Sequence, residues 1–123
     1  MQALSDTQNY TVEWLRDAVR YGRFPDEPRL LQVWMLKEKE LASSCRCRGA
    51  DWKCCADELT VLLDTICDDL VPMHWRRQCV DAINLPLYRL QRLVQTDAEY
   101  DALRHYFLKV RSLTDIHRDT AVN

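Results

Sequence analysis

Four of the chain's six cysteines lie within thirteen residues, in the segment 43–55 with the sequence SSCRCRGADWKCC. Cysteine thiolates are ligands that zinc prefers, and four of them satisfy a tetrahedral zinc ion. The spacing C-x-C-x6-C-C differs from the paired C-x2-C pattern that is common in zinc sites. Three alternatives therefore stay open for this segment: a metal site, a redox-active or disulfide-bonded cluster, and a loop with free thiols.

Helical geometry separates these cysteines into two groups. Cys55 shares a helix face with Trp52 and Leu59, which indicates a core residue. Cys54 lies about 100° away around the helix, near its start, where the helix dipole favours a thiolate. The predicted metal ligands are Cys45, Cys47 and Cys54, with Cys55 or His74 as the fourth. The expected cofactor is accordingly none or a structural zinc ion.

Outside this segment, no pattern is typical of a catalytic site. Cys67 and Cys79 adjoin apolar positions and are interpreted as small core residues. The three histidines are not spaced as a catalytic set, and two glycines are too few for a glycine-rich phosphate-binding loop. We therefore expect no enzymatic activity.

The elements that position these residues are predicted to be helices. Apolar residues recur at three- and four-residue steps rather than alternating, and the chain has only two glycines for tight turns. A length of 123 residues is typical of one domain. We predict an all-α, compact, single-domain bundle of five to six helices over residues 1–123. Residues 1–9 and 116–123 are predicted to be frayed, and residues 43–51 to form a cysteine-rich loop.

The clearest helical pattern follows Asp51, which is a good N-cap residue. Its apolar stripe comprises Trp52, Cys55, Leu59, Leu62, Leu63, Ile66 and Leu70. The helix is expected to end near Val71, because the residue before Pro72 is disfavoured in helical conformation. Elsewhere, Gly22 is expected to end the first helix, and Thr96 with Glu99 has the spacing of a capping box.

Charged residues are segregated along the chain, although the net charge is only −2. Asp57, Asp64 and Asp68 lie on the face opposite the apolar stripe of the third helix. With Trp34 or Trp75 as an apolar anchor, they are predicted to form a docking surface for a protein partner. The leading hypothesis is a non-enzymatic regulator, adaptor or small subunit that binds another protein.

A nucleic-acid-binding regulator is the alternative hypothesis. Its phosphate-contacting residues would be Arg16, Arg20, Arg23, Arg76, Arg77, Arg89 and Arg92. The acidic helix and the near-neutral total charge count against it, since binding to phosphates depends on positive charge. A third interpretation is that neighbouring helices neutralise each other's charged faces.

The second helix carries an almost unbroken apolar run from Leu30 to Leu36. One helix cannot direct all of these positions into its own core, which favours a homo-oligomer through this helix. The first ten residues contain no apolar segment typical of a signal peptide, and no run is long enough for a membrane span. We therefore expect a cytoplasmic protein with no membrane partner.

Overall fold

The computed structural model describes residues 10–45, 47 and 49–122, and their side chains as far as Leu113. Within these residues it is all-helical, which confirms the predicted fold class. The helices are α1 (Val12–Arg20), α2 (Arg29–Ser44), α3 (Ala50–Ile66), α4 (Met73–Ala82), α5 (Asn84–Leu93) and α6 (Asp97–Val122). No helix in the described ranges is both long and apolar enough to cross a lipid bilayer.

Helix α1 begins at a threonine cap and ends before Gly22, the glycine that the sequence predicted as its stop. The Thr11 hydroxyl accepts a hydrogen bond from the Trp14 amide at 3.1 Å, which satisfies a free N–H group of the first turn. Beyond its end lies Gly22, with a left-handed φ of 59°. A Cβ atom at Gly22 would lie 2.9 Å from Cγ1 of Val71, so glycine also permits the close approach of this turn.

Helix α3 lies at the centre of the bundle and packs against α1, α2, α4 and α5. Its buried residues include Cys55, Leu59, Leu62, Leu63 and Ile66, which confirms the predicted stripe at these positions. Leu70 departs from the prediction, since α3 ends at Ile66 and Leu70 is 94% exposed. Oδ1 of Asp68 accepts a hydrogen bond from the Leu70 amide at 3.0 Å, a local bond that competes with continued helix.

The connection from α2 to α3 is shorter than the predicted loop of residues 43–51. Ser43 and Ser44 complete α2, and Ala50 already belongs to α3. Gly49, with a φ of 81°, stands directly before α3, so Asp51 is not its N-cap. The left-handed glycine reverses the chain in few residues and holds the cysteines close to two helix ends.

Helices α4 and α5 form an almost continuous pair joined at Ile83, with Pro86 in the first turn of α5. Proline is tolerated there because the first N–H groups of a helix have no helical partner. The indole of Trp75 donates a hydrogen bond to the Val19 carbonyl at 2.9 Å, which ties α4 to α1 in the core.

Helix α6 starts with the predicted capping box. The Glu99 amide donates to Oγ1 of Thr96, and the Thr96 amide donates to Oε1 of Glu99, each at 3.1 Å. Leu103 and Val110 are buried, and α6 packs against α5. The helix continues to Val122, where fraying was predicted from residue 116. The predicted fraying of residues 1–9 falls outside the described part of the chain.

Candidate functional site

Three thiols of the cysteine-rich segment surround one cavity, which we call the thiol cavity. It has a volume of about 370 Å³ and lies between the end of α2 and the start of α3. Cys45, Cys47 and Cys54 line it together with Glu38 and Lys53. The fold therefore brings together the three residues that the sequence analysis grouped as candidate ligands.

These thiols differ in their acidity because they differ in burial and neighbours. Cys45 and Cys47 are exposed, and a hydrogen bond from the Cys47 thiol lowers the pKa of Cys45. Burial raises the pKa of Cys54 to about 12, and the charge of Glu58 adds to this effect. Cys45 therefore loses its proton more readily than Cys54, which keeps its proton near neutral pH.

The two candidates for a fourth ligand lie elsewhere. Cys55 is buried in the core, as its helical position predicted. Nε2 of His74 lies 3.0 Å from Oδ1 of Asp26, at the connection between α1 and α2. Among the described residues, no three histidine, cysteine or acidic side chains are grouped so as to hold a metal ion. Zinc binding by Cys45, Cys47 and Cys54 stays a prediction.

The remaining two cysteines take different environments. Cys79 is buried, as expected, and burial raises its pKa to about 12. Cys67 is exposed because it stands directly after the last residue of α3, which corrects its interpretation as a core residue.

A buried carboxyl group lies behind the thiol cavity. Glu58 is fully buried, and the Cys54 thiol donates to its Oε1 at 3.6 Å. Its Oε2 has no hydrogen-bond partner among the described residues. Burial raises the pKa of Glu58 to about 7, although the nearby Arg89 charge opposes this shift. Glu58 was not singled out by sequence, because a glutamate beside an apolar stripe resembles any solvated helix position.

A second cavity, which we call the cation-lined cavity, opens between α2, α3 and α5. Its volume is about 330 Å³. Its lining residues are Lys39, Ala42, Asp51, Cys54, Cys55, Arg89, Arg92 and Leu93. Burial raises the pKa of Cys55 to about 11, against the opposing charge of Arg89. Positive side chains of α2 and α5 thus line the same cavity as two thiols, Cys54 and Cys55, whose raised pKa values keep them protonated near neutral pH.

The predicted acidic docking face is partly used within the chain. Oδ2 of Asp68 accepts from Nη1 of Arg20 at 2.8 Å, and this bond lowers the pKa of Asp68. Oδ2 of Asp57 lies 3.3 Å from Nζ of Lys53, one helical turn away. Asp64 is exposed. The three carboxylates lie on α3 or its end, but two of them are engaged by neighbouring cations.

Both tryptophans proposed as anchors lie in the core. Trp34 and Trp75 are 0% exposed. This corrects their interpretation as surface anchors: the early part of α2 and the start of α4 pack inward against α3 and α1, and each indole fills that space.

The predicted phosphate-contacting arginines of α1 and of the turn after it also form ion pairs within the chain. Arg16 forms a double hydrogen bond to the buried Glu38, with Nη2 and Oε1 2.8 Å apart, and Arg20 binds Asp68. Arg23 is paired with Asp17. These pairs match the third interpretation, in which neighbouring faces neutralise each other.

The other predicted phosphate-contacting arginines are distributed over α4 and α5. Arg76 donates through Nε to the Ile66 carbonyl at 2.8 Å, and its side chain is only 12% exposed. Arg77 is exposed on α4. Arg89 and Arg92 line the cation-lined cavity instead of a common face with α1.

Most of the apolar run of α2 is buried in the chain's own core. Leu30, Leu31, Trp34 and Met35 are buried, whereas Leu36 is 59% exposed. The helix therefore directs more of this run inward than the sequence analysis assumed, and a homo-oligomer through α2 stays a prediction.

A third concavity, which we call the apolar groove, lies between α2 and the α4–α5 pair. It measures about 410 Å³. One wall carries Pro28, Leu31, Gln32 and Met35, and the other carries Gln78, Asp81, Ala82 and Leu85. Both sets have the spacing i, i+3, i+4 and i+7, so the α2 wall follows one helix face for about two turns, and the other wall keeps the same spacing across the junction of α4 and α5.

No protein-family model, no curated protein and no solved structure matches this chain. Function is therefore inferred from the chain's own geometry.

Proposed function

We propose that this chain is a non-enzymatic regulator or adaptor that binds a protein partner in the apolar groove. The observation that supports the proposal is the pair of helix faces that line the groove with the same periodicity. Two such faces, side by side and separated by a gap, present the surface into which a third helix packs.

The size of the groove fits a short helical segment. Residues i to i+7 of a helix extend about 10 Å along its axis, which corresponds to two turns of a bound helix. Leu31 and Met35 are nearly buried at the base of one wall, and Leu85 is 48% exposed on the other. A bound helix with large apolar side chains at i, i+3 and i+7 would cover Leu85 and exclude water from the gap.

Polar groups of the groove define the chemistry of the partner further. Asp81 is exposed on the groove wall and belongs to no ion pair among the described residues. Nε2 of Gln78 donates to the Pro25 carbonyl at 3.4 Å, while its Oε1 accepts no hydrogen bond within the described part of the chain. The partner segment is therefore an amphipathic helix with a lysine or arginine that faces Asp81.

The test uses a photo-crosslinking amino acid at Gln32, which lies in the groove, and at Leu70, which is 94% exposed and does not line it. In the source cells, the Gln32 position is expected to crosslink to an amphipathic, basic helical segment of another protein. The introduced change Leu85→Glu should abolish this product, because it places a charge in the apolar wall beside Asp81.

The matched control is Leu70→Glu, which adds the same charge at an exposed leucine that does not line the groove and should leave the product unchanged. Equal crosslinking from both positions, or a product that survives Leu85→Glu, would refute the proposal. Crosslinks between two copies of this chain would show instead that the groove is a homodimer interface and not the site of a different protein.

The thiol cavity supports a second candidate function, the binding of a structural zinc ion. The supporting observation is that one cavity is lined by Cys45 and Cys47, which follow the end of α2, and by Cys54, which lies in α3. Zinc displaces thiol protons, so a high thiol pKa lowers the affinity without preventing binding. Zn²⁺ added to the reduced protein should protect these three cysteines together from alkylation, and leave Cys67 reactive. Unchanged alkylation of all three would contradict zinc binding.

The nucleic-acid alternative has less support. Four of its seven arginines, Arg16, Arg20, Arg23 and Arg76, are in ion pairs, and two others line a cavity. A phosphate backbone requires cations that are exposed along one surface. Retention of the protein on a DNA or RNA column at low salt would support this alternative.

A further inference from the structure

The cation-lined cavity combines features that the apolar groove lacks. Lys39 enters from α2, and Arg89 and Arg92 enter from α5. Asp51 is the single acidic side chain on its wall. Among the described residues, none of the three cations belongs to an ion pair. By contrast, Arg16 and Arg20 of α1 and Arg23 in the turn after it are all paired.

Cations that converge on a concave surface repel one another and concentrate anions there. Arg89 is half-buried beside Cys55, whereas Arg92 and Lys39 are exposed at the rim. This arrangement holds one guanidinium deep in the cavity and two flexible charges around its mouth. It suits a compact anion whose charged group lies inside the cavity and contacts cations on several sides.

We propose that the cation-lined cavity binds a phosphorylated small molecule through Lys39, Arg89 and Arg92. The three cations and Asp51 leave two positive charges in excess, which matches the dianion of a phosphate monoester. Guanidinium groups bind phosphate oxygens in a two-pronged geometry, so Arg89 and Arg92 contact the phosphate and Lys39 adds a point charge.

The remaining lining residues define the rest of the ligand. The Asp51 carboxylate accepts hydrogen bonds, so it recognises a hydroxyl or amino group on the ligand. Ala42 and Leu93 supply apolar surface for a short carbon skeleton. A volume of about 330 Å³ accommodates a small metabolite and excludes a folded macromolecule.

This site is separate from the apolar groove. The groove lies beside the first turns of α2, at Leu31 and Met35, whereas the cavity lies further along the same face of α2, at Lys39, and against α3 and α5. The two sites share no lining residue, so ligand binding and partner binding are tested separately, and a groove variant such as Asp81→Lys should still bind the phosphorylated ligand.

The test is a titration of isotopically labelled protein with inorganic phosphate and with glycerol 3-phosphate at constant ionic strength, followed by NMR. Glycerol is the uncharged control, and succinate is a dianion without phosphate. The phosphate compounds should shift the amide signals of Asp51, Cys55 and Arg89, and glycerol 3-phosphate should bind more tightly than phosphate. Succinate should bind more weakly, because a linear dicarboxylate separates its two charges.

Substitutions then assign the site. Arg92→Gln and Lys39→Gln should each weaken binding about tenfold, because each removes a charge-assisted contact. Both residues are exposed, so the fold is retained even if Arg89→Gln destabilises the core. Arg77→Gln is the matched control, since it removes an exposed charge on α4 outside the cavity.

Three results would overturn the proposal. One is the absence of amide shifts with both phosphate compounds at millimolar concentration. Another is an equal loss of binding in Arg77→Gln and Arg92→Gln, which would indicate nonspecific attraction by net charge. The third is tighter binding of succinate, which would assign the cavity to dicarboxylates.

Discussion

Two buried glutamates on neighbouring helices have opposite surroundings. Glu38 of α2 faces α1, where Arg16 holds both of its oxygens with hydrogen bonds. Glu58 of α3 faces α5, and among the described residues its one hydrogen-bond partner is the Cys54 thiol. Glu38 is 6% exposed and Glu58 0%, so the difference lies in the partners and not in the burial.

This contrast separates charges that hold the fold together from charges left for other purposes. On the α1 side, cations and carboxylates pair across helices and stabilise the packing. On the α5 side, Arg89 lies near Glu58 without an ion pair to it among the described residues, and it lines an open cavity. Uncompensated buried charge costs stability, so its retention favours a functional role for the α5 side.

The largest expected effect concerns thiol reactivity. Alkylation near neutral pH should modify Cys45 at least about tenfold faster than Cys54, because only the thiolate reacts and a pKa of about 12 leaves Cys54 protonated. Glu58→Gln should speed the reaction of Cys54 by removing a nearby negative charge. Site-resolved mass spectrometry measures both rates, with the buried Cys79 as an unreactive reference. Equal rates at Cys45 and Cys54 would contradict the structure.

The next effect is the pH dependence of stability that Glu58 confers. Its pKa rises from 4.5 to about 7 on folding, so the native state binds a proton that the unfolded chain has released. The free energy of unfolding should therefore fall as pH rises from 4.5 to 7, by about 3 kcal/mol at most.

Urea unfolding of the wild type and of Glu58→Gln at several pH values measures this contribution, because the glutamine cannot titrate. The difference between the two curves should vanish as pH falls below 4.5. Glu40→Gln, at an exposed position of α2, should retain the wild-type slope. A Glu58→Gln variant with that same slope would refute the assignment.

A smaller effect should distinguish the arginines on the two sides. Arg16→Met leaves the buried Glu38 without its partner and should cost about 2 kcal/mol of unfolding free energy, below the range for a fully buried pair. The reduction reflects the 40% exposure of the Arg16 side chain. Arg92→Met should change stability by less than about 0.5 kcal/mol, since it removes an exposed side chain with no ion pair in the described residues. Denaturant unfolding measures the loss of unfolding free energy in both variants. Equal losses would contradict the difference between the two sides of the bundle.

Much of the fold could be predicted because its helices carry strong local signals. The capping box at Thr96 and Glu99, the glycine after α1 and the apolar stripe of α3 all act within a few residues along the chain. Helix ends were less predictable. The turn at Asp68 ends α3 before Leu70, and Gly49 shortens the loop, because local hydrogen bonds and left-handed backbone override the apolar period there.

The candidate sites could be predicted only in part. The grouping of Cys45, Cys47 and Cys54 followed from helix geometry near the loop, where the three lie close in sequence. Lys39 and Arg92, in contrast, are separated by 53 positions. No pattern in a single sequence shows that α2 and α5 place them around one cavity.

Composition and periodicity alone established that this chain forms a small helical bundle, because helix formation depends on contacts three and four residues apart. Tertiary packing decided which charges are paired, which tryptophans are hidden and where the surface is concave. Arg20 and Arg92 are alike in type, and only the presence of Asp68 beside the first and of a cavity beside the second distinguishes them. Electrostatic partners and concave surfaces arise between helices distant along the chain, so their positions follow from the packing of the whole bundle.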